Sequence, residues 1–338
     1  MNNKTRSSNL ELLRIILILM IITLHYFHAN IGGLFGNVET NTLNYYISHF
    51  IEALCICAVN TFIIITGYFS YKKESIKIAK VLKLIFLMAF YGLLIAIIYI
   101  ICTHTPLSIN TLKIVFVSTF SRWFVIIYTI LYLLIPFINK LINNLDEKQL
   151  KTLLIINFFV FYFLYTFINK ATMVDKGYGI VNFINLYLIG AYIRKYKDQP
   201  IKKTYCFIVY LVCAIFTTIF SFFAGRAYDY ATVFNLIGAI ALFCLFKEIK
   251  IKDSKFINKL SSYTFAVYII HENKLFSQFL YRNIFHTQLY WNNNMMILHL
   301  IISVIGIYLL CVLIESIRSI LLKRICDDNI EKISYTIK

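Results

Sequence analysis

Apolar runs of about 20 residues recur along this chain, separated by short polar stretches, and they leave few folds open. Inside a bilayer every backbone N–H and C=O needs a partner within the spanning structure, so only helices and closed barrels are viable. Barrel strands alternate apolar and polar residues, whereas these runs are continuously apolar. With 60% of its 338 residues hydrophobic and only 14% charged, the chain lacks the polar residues to clothe a soluble body. The reading is an all-α, polytopic integral membrane protein of about ten transmembrane helices. The segments fall near 11–29, 49–69, 84–102, 121–139, 152–169, 180–194, 204–224, 231–247, 260–280 and 295–317. The sixth is the shortest, as expected of a segment tilted, broken or packed inside a bundle.

The distribution of charge orients these segments. Of the 33 Lys and Arg residues, 26 lie at one set of ends: Lys4, Arg6 and Arg14, then stretches 70–83, 140–151, 194–203, 247–259 and 318–338. The opposite loops hold the remaining seven, Lys113, Arg122, Lys170, Lys176, Arg226, Lys274 and Arg282. Positive residues accumulate on the cytoplasmic side, so both termini are expected there. The net charge of +17 is thus topological, and no basic–aromatic domain is left over for nucleic acid. The first segment carries Arg14 and no small-residue cleavage site, which reads as a retained helix. Residues 318–338 form a short charged tail after the last segment, so the expectation is one membrane domain over 1–338 with no added soluble domain. Seven of the eight cysteines lie in apolar segments and read as small buried hydrophobes.

Within the first segment, ELLRIILILMIITLHYFH, Arg14 and His25 stand out, since titratable groups are costly in a bilayer and usually face protein or water. Eleven residues at about 100° each bring both side chains to one helix face, about 16 Å apart along the axis. That spacing rules out a direct pair and suits two contacts on one long ligand. An imidazole can take a proton from a hydroxyl in a transfer reaction, or it can simply hydrogen-bond a neighbouring helix. Arg14 reads either as a phosphate grip or as a snorkelling anchor beside Glu11. Lys72, Lys73, Lys77, Lys80 and Lys83 would add to such a grip, or serve only as positive-inside charge. Glu52, Asn60, Arg122, Trp123, His271 and Glu272 are candidates for lining an outer cavity or binding the acceptor, and Glu52 reads as orienting His25, binding an acceptor hydroxyl or simply sitting at the interface. His28 reads as interfacial. The chain has no Gly-rich phosphate loop, no G-x-S-x-G elbow and no HExxH pair. His25 and His28 have no carboxylate ligand near in sequence, so no metal site is expected.

These residues resemble the membrane acyltransferase-3 family of bacterial O-acyltransferases. The first helix is similar to the family signature, an acidic residue, Leu13-Arg14, ten residues and then His25. NTFIIITGYFSYKK (60–73) is similar to its second-helix stretch, with Thr66 in place of the usual serine. Lys80 and Lys83 stand where many members carry two arginines before a proline, which is missing here. WFVIIYTILYLLIPFI (123–138), GAYIRKY (190–196) and SSYTFAVYIIHE (261–272) resemble the fourth, sixth and ninth segments, in order.

The resemblance implies O-acyl transfer, most often acetyl from acetyl-CoA, to a hydroxyl of a surface polysaccharide or its lipid-linked precursor, in the bacterial cytoplasmic membrane. It implies His25 as the base or acyl-handling residue and Arg14 as a donor-binding residue, with Lys80 and Lys83 beside it. Acyl-CoA would then be a co-substrate, with no cofactor held permanently. The rival readings are a glycan-intermediate transporter or flippase, whose internal repeats are not detectable in this sequence, and a non-catalytic partner in polysaccharide assembly.

Overall fold

The computed structural model describes residues 7–168, 172–322, 326–333 and 335–337. Lys4, Arg6, Lys170, Lys323, Arg324 and Lys338, counted above among the topological charges, lie outside the described residues. The chain is a helical bundle. Helix α1 (Ser8–Phe27) is followed by α2 (Leu43–Cys55) and α3 (Ala58–Ser70), which form one span broken at Ile56–Cys57. After them come α4 (Ile78–Thr103), α5 (Ile109–Phe120) and α6 (Trp123–Asn144). Next, α7 (Glu147–Asn157) passes through a π-helical turn at Phe158–Phe163 into α8 (Leu164–Ile168). The remaining helices are α9 (Ile180–Tyr196), α10 (Lys203–Ser221), α11 (Val233–Lys247), α12 (Lys255–Ser261), α13 (Thr264–His271), α14 (Met296–Leu322) and α15 (Asp328–Glu331).

Seven of these stretches are long and apolar enough to cross a membrane: α1, α2–α3, α4, α6, α7–α8, α10 and α14. The segments expected at 180–194 and 231–247 are helices of 17 and 15 residues, α9 and α11. The segment expected at 260–280 is not continuous; it divides into α12, α13 and a later π-helical turn at Phe279–Ile284. The polar run His271-Glu272-Asn273 ends α13, and Asn273 Oδ1 accepts from the Leu275 amide at 3.0 Å, so local side-chain bonding replaces the next helical turn. Helix α5 has no counterpart among the expected segments. Ser108 caps it by accepting from the Thr111 amide (3.2 Å). Lys80 and Lys83, expected in a loop, lie on the first turns of α4.

Burial separates hub from rim. The apolar windows of α1 and α2–α3 are each 72% buried, against 17–39% for the other five long stretches. The rim helices turn Leu, Ile and Phe outward, for example Ile97, Ile101, Ile302 and Leu309, as a lipid-facing surface requires. Helix α1 touches α2, α3, α11, α12, α13 and α14, so the polar residues on its faces meet protein.

The basic stretches gather at one end of the bundle. There Asn9 Nδ2 donates to the Phe246 carbonyl (2.9 Å), Asn139 Nδ2 to the Lys73 carbonyl (2.8 Å) and Lys195 Nζ to the Ile142 carbonyl (2.8 Å). The C-terminal stretch joins them through a two-residue antiparallel ladder, Ile76 opposite Ile337 and Lys77 opposite Thr336, and through Lys83–Glu331 at 3.3 Å. At the other end Arg282 Nε donates to the Ile31 carbonyl (2.9 Å) and Asn44 Nδ2 to the Asn293 carbonyl (2.9 Å).

Candidate functional site

Helix α1 carries the two ends of the site. At its basic end, Arg14 Nη1 donates to Glu11 Oε1 (3.0 Å), while the other Glu11 oxygen accepts from the Ser261 hydroxyl of α12. Glu11 therefore ties α1 to α12 and steers Arg14 toward Phe69, whose ring centre is 6.0 Å from the guanidinium carbon. Arg14 remains half-buried, its side chain 30% exposed. One helix face above it runs Arg14, Ile18, Ile21, His25, at steps of four, three and four residues. Ile18 and Ile21 form one wall of a cleft of about 270 Å³, closed by Phe62 of α3, Phe124 of α6, and Phe265 and Tyr268 of α13. The cleft therefore lies on the α1 face between Arg14 and His25. It is a shallow, apolar depression rather than a preformed chamber.

Above the cleft, two imidazoles face each other. The His25 and His271 ring centroids are 5.0 Å apart at 45°. His271 is fully buried and its Nδ1 lies 2.6 Å from the Val267 carbonyl, one turn back on α13. A carbonyl oxygen can only accept, so Nδ1 carries the proton and Nε2 is the position left for a ligand. That Nε2, and Nδ1 of His25, are buried and have no partner among the described residues.

Arg122, at the start of α6, is 1% exposed. Its Nη1 donates to the Glu272 carboxylate (2.7 Å) and also to the Glu272 carbonyl. Its Nε and Nη2 have no partner among the described residues. Burial makes this pair strongly interdependent, because removing one partner strands the other charge. Arg122 also lies within electrostatic reach of both histidines. Helices α6 and α13 thus each contribute a cleft wall and, beside it, one member of the ion pair.

The other sequence candidates sit elsewhere. Trp123 packs on Tyr178 (4.7 Å) and Tyr230 (5.9 Å). Asn60 is fully buried with its amide bonded, Nδ2 to the Tyr230 carbonyl (2.9 Å) and Oδ1 to Asn182 (3.4 Å), as a tie between α3, α9 and the loop before α11. Glu52 is buried with Oε2 unpartnered among the described residues, within reach of Tyr178 and Tyr228, and no hydrogen bond joins it to His25. Lys83 is engaged by Glu331, and Lys80 is exposed on α4. His28 is exposed. Among the described residues no group of three or more His, Cys, Asp or Glu is placed to hold a metal ion.

Two polar networks at the basic end escaped the sequence reading. Tyr68 donates to Asp198 (2.7 Å) and accepts from Arg194 (2.7 Å), with Lys247 3.3 Å from the same carboxylate. On α14, Arg318 bridges Glu315 (2.8 Å) and Asp327 (3.2 Å), and the Tyr91 hydroxyl donates to Glu315 (2.5 Å). The i, i+3 spacing of Glu315 and Arg318 and the i, i+4 spacing of Arg194 and Asp198 were the available signals.

The facing His25 and His271 rings, the buried Arg122 with two donors unpartnered among the described residues, and the apolar cleft along the same face of α1 bring an acid–base pair, a cation and an apolar wall into one part of the bundle. A family model described as an acyltransferase domain, Acyl_transf_3, matches residues 7–316. No curated protein and no solved structure matches the chain.

Proposed function

This chain belongs to the acyltransferase-3 family, and on that premise we propose that it moves an acetyl or other short acyl group from cytoplasmic acyl-CoA to a hydroxyl of a cell-surface polysaccharide or its lipid-linked precursor. The observation that supports this most is the cleft between Arg14 and His25 on one face of α1. In this reading Arg14 holds an anionic part of the donor at the basic, cytoplasmic end of the bundle, and Lys80 and Lys83, on the first turns of α4, add positive charge at that end. The pantetheine arm lies in the apolar cleft, and the thioester reaches His25. The acceptor oxygen attacks the thioester carbonyl carbon and its proton passes to the His25 imidazole. The C–S bond then breaks, and the departing thiolate takes that proton to leave as the free thiol of CoA. His271 and Glu272 stand beside His25 on the acceptor side, Glu52 and Trp123 line its far edge, and Asn60 supports it only by joining α3 to α9. The membrane is the bacterial cytoplasmic membrane.

The test uses purified full-length protein in nanodiscs, radiolabelled acetyl-CoA and the glycan fraction of the cell envelope as acceptor. His25→Ala is expected to lower transfer by about 10²–10⁴-fold, the usual contribution of a positioned acid–base group, with folded protein retained. Arg14→Ala is expected to raise KM for acetyl-CoA with a smaller effect on kcat. Wild-type rates in both variants, or glycan movement that does not depend on acyl-CoA, would favour a transporter instead.

A further inference from the structure

We propose that Arg122 is a catalytic residue of this transfer, its Nε and Nη2 donating to the acyl carbonyl oxygen as that oxygen becomes an oxyanion. The inference rests on the acyl-transfer reading above. Arg122 is 1% exposed, and its ion pair with Glu272 engages only Nη1. Nε and Nη2 are buried with no partner among the described residues. Buried N–H groups in a folded protein are nearly always bonded, and exceptions call for an explanation in function. The neighbours supply one. Glu272 directly follows His271, whose ring is 5.0 Å from His25, and Phe124, two residues beyond Arg122, lines the cleft. Arg122 lies within electrostatic reach of both rings, so an acyl carbonyl held beside His25 is also near the guanidinium.

The charge balance favours a transient anion over a permanent one. Glu272 already neutralises Arg122, so a substrate carboxylate bound there would lie against a second carboxylate. A thioester carbonyl brings no net charge when it binds and acquires it only as the acceptor oxygen adds. Donors fixed in place before the reaction, in a site shielded from water, stabilise such a developing charge most effectively. Glu272 then acts as a positioning residue, holding the guanidinium by Nη1 so that the other two donors stay oriented.

The assay of labelled acetyl-CoA with the envelope glycan fraction, on nanodisc-held full-length protein, tests this with Arg122→Lys, Arg122→Gln and the double variant Arg122→Gln/Glu272→Gln. The double variant removes both charges together, so its folding does not suffer from a stranded carboxylate. All three are expected to lose about 10²–10³-fold in kcat, as for removal of an oxyanion donor, with KM for acetyl-CoA within about threefold of wild type and the double variant melting as wild type does. A folded double variant with kcat within tenfold of wild type overturns the assignment. So does a rise in KM with kcat unchanged, which marks ground-state binding. In either case, transfer by the wild-type protein leaves the acyl-transfer reading standing. A wild-type protein that transfers no label overturns that reading, and the role of Arg122 with it.

Discussion

At the residue scale, Arg14 and His25 share a helix face but not an environment. Arg14 is half-buried beside Phe69 and held by Glu11, at the end where the lysine-rich stretches converge. His25, itself partly exposed, meets the fully buried His271, within electrostatic reach of Arg122. Between them Ile18 and Ile21 present only hydrocarbon to the cleft. Replacing Ile21, 6% exposed, by Trp puts an indole into that space. Overpacking costs about 1–3 kcal/mol, so the variant should fold with a modestly lower melting temperature. Its KM for acetyl-CoA should rise by about tenfold or more. A normal KM in a folded Ile21→Trp protein would count against the cleft as the donor's route. Asn60 shows the opposite outcome for a polar residue in a membrane helix: every bond it makes is to protein, and its role is to join helices.

At the element scale, two of the resemblance-bearing stretches prove to be one packing device. A Cβ on Gly67 of α3 would lie 2.2 Å from the Tyr187 carbonyl oxygen, and one on Gly190 of α9 would lie 2.1 Å from the Ile64 carbonyl oxygen. The two helices therefore touch backbone to backbone, as small residues allow where no hydrophobic driving force separates helix from lipid. That contact brings Tyr68 and Arg194 within 2.7 Å at the basic end. Gly190→Val should push α3 from α9 and abolish monodisperse protein on size-exclusion chromatography. Gly225→Ala, where a Cβ would meet nothing within 4 Å, should elute as wild type. A stable Gly190→Val protein would show that the interface yields more than its geometry suggests.

At the scale of the whole molecule, the bundle has a basic end and an opposite end, each with its own loop contacts, Asn9 to Phe246 at one and Asn44 to Asn293 at the other. The orientation proposed from loop charge puts the basic end in the cytoplasm. Cysteine-accessibility labelling, in a background with Cys102 and Cys326 replaced by serine and the six buried cysteines kept, checks it. Thr40→Cys, exposed at the far end, should react with a membrane-impermeant maleimide on intact cells. Lys202→Cys, exposed at the basic end, should react only after permeabilisation. The reverse pattern would invert the donor path and place Arg14 outside.

Much of this was legible in the chain itself. Length and hydropathy define the long helices because the bilayer imposes them locally, and loop charge sorts the ends because topology depends on composition. The common face of Arg14 and His25 follows from helical periodicity alone. What only the tertiary structure decided is which distant groups meet. Arg122 finds Glu272 across 150 residues, and His25 finds His271 on a short helix whose polar end breaks the expected ninth segment. Apolar segments in lipid carry no local signal for rotation or neighbour; those are set by close contacts such as Gly67 against Tyr187, which exist only once the bundle has packed.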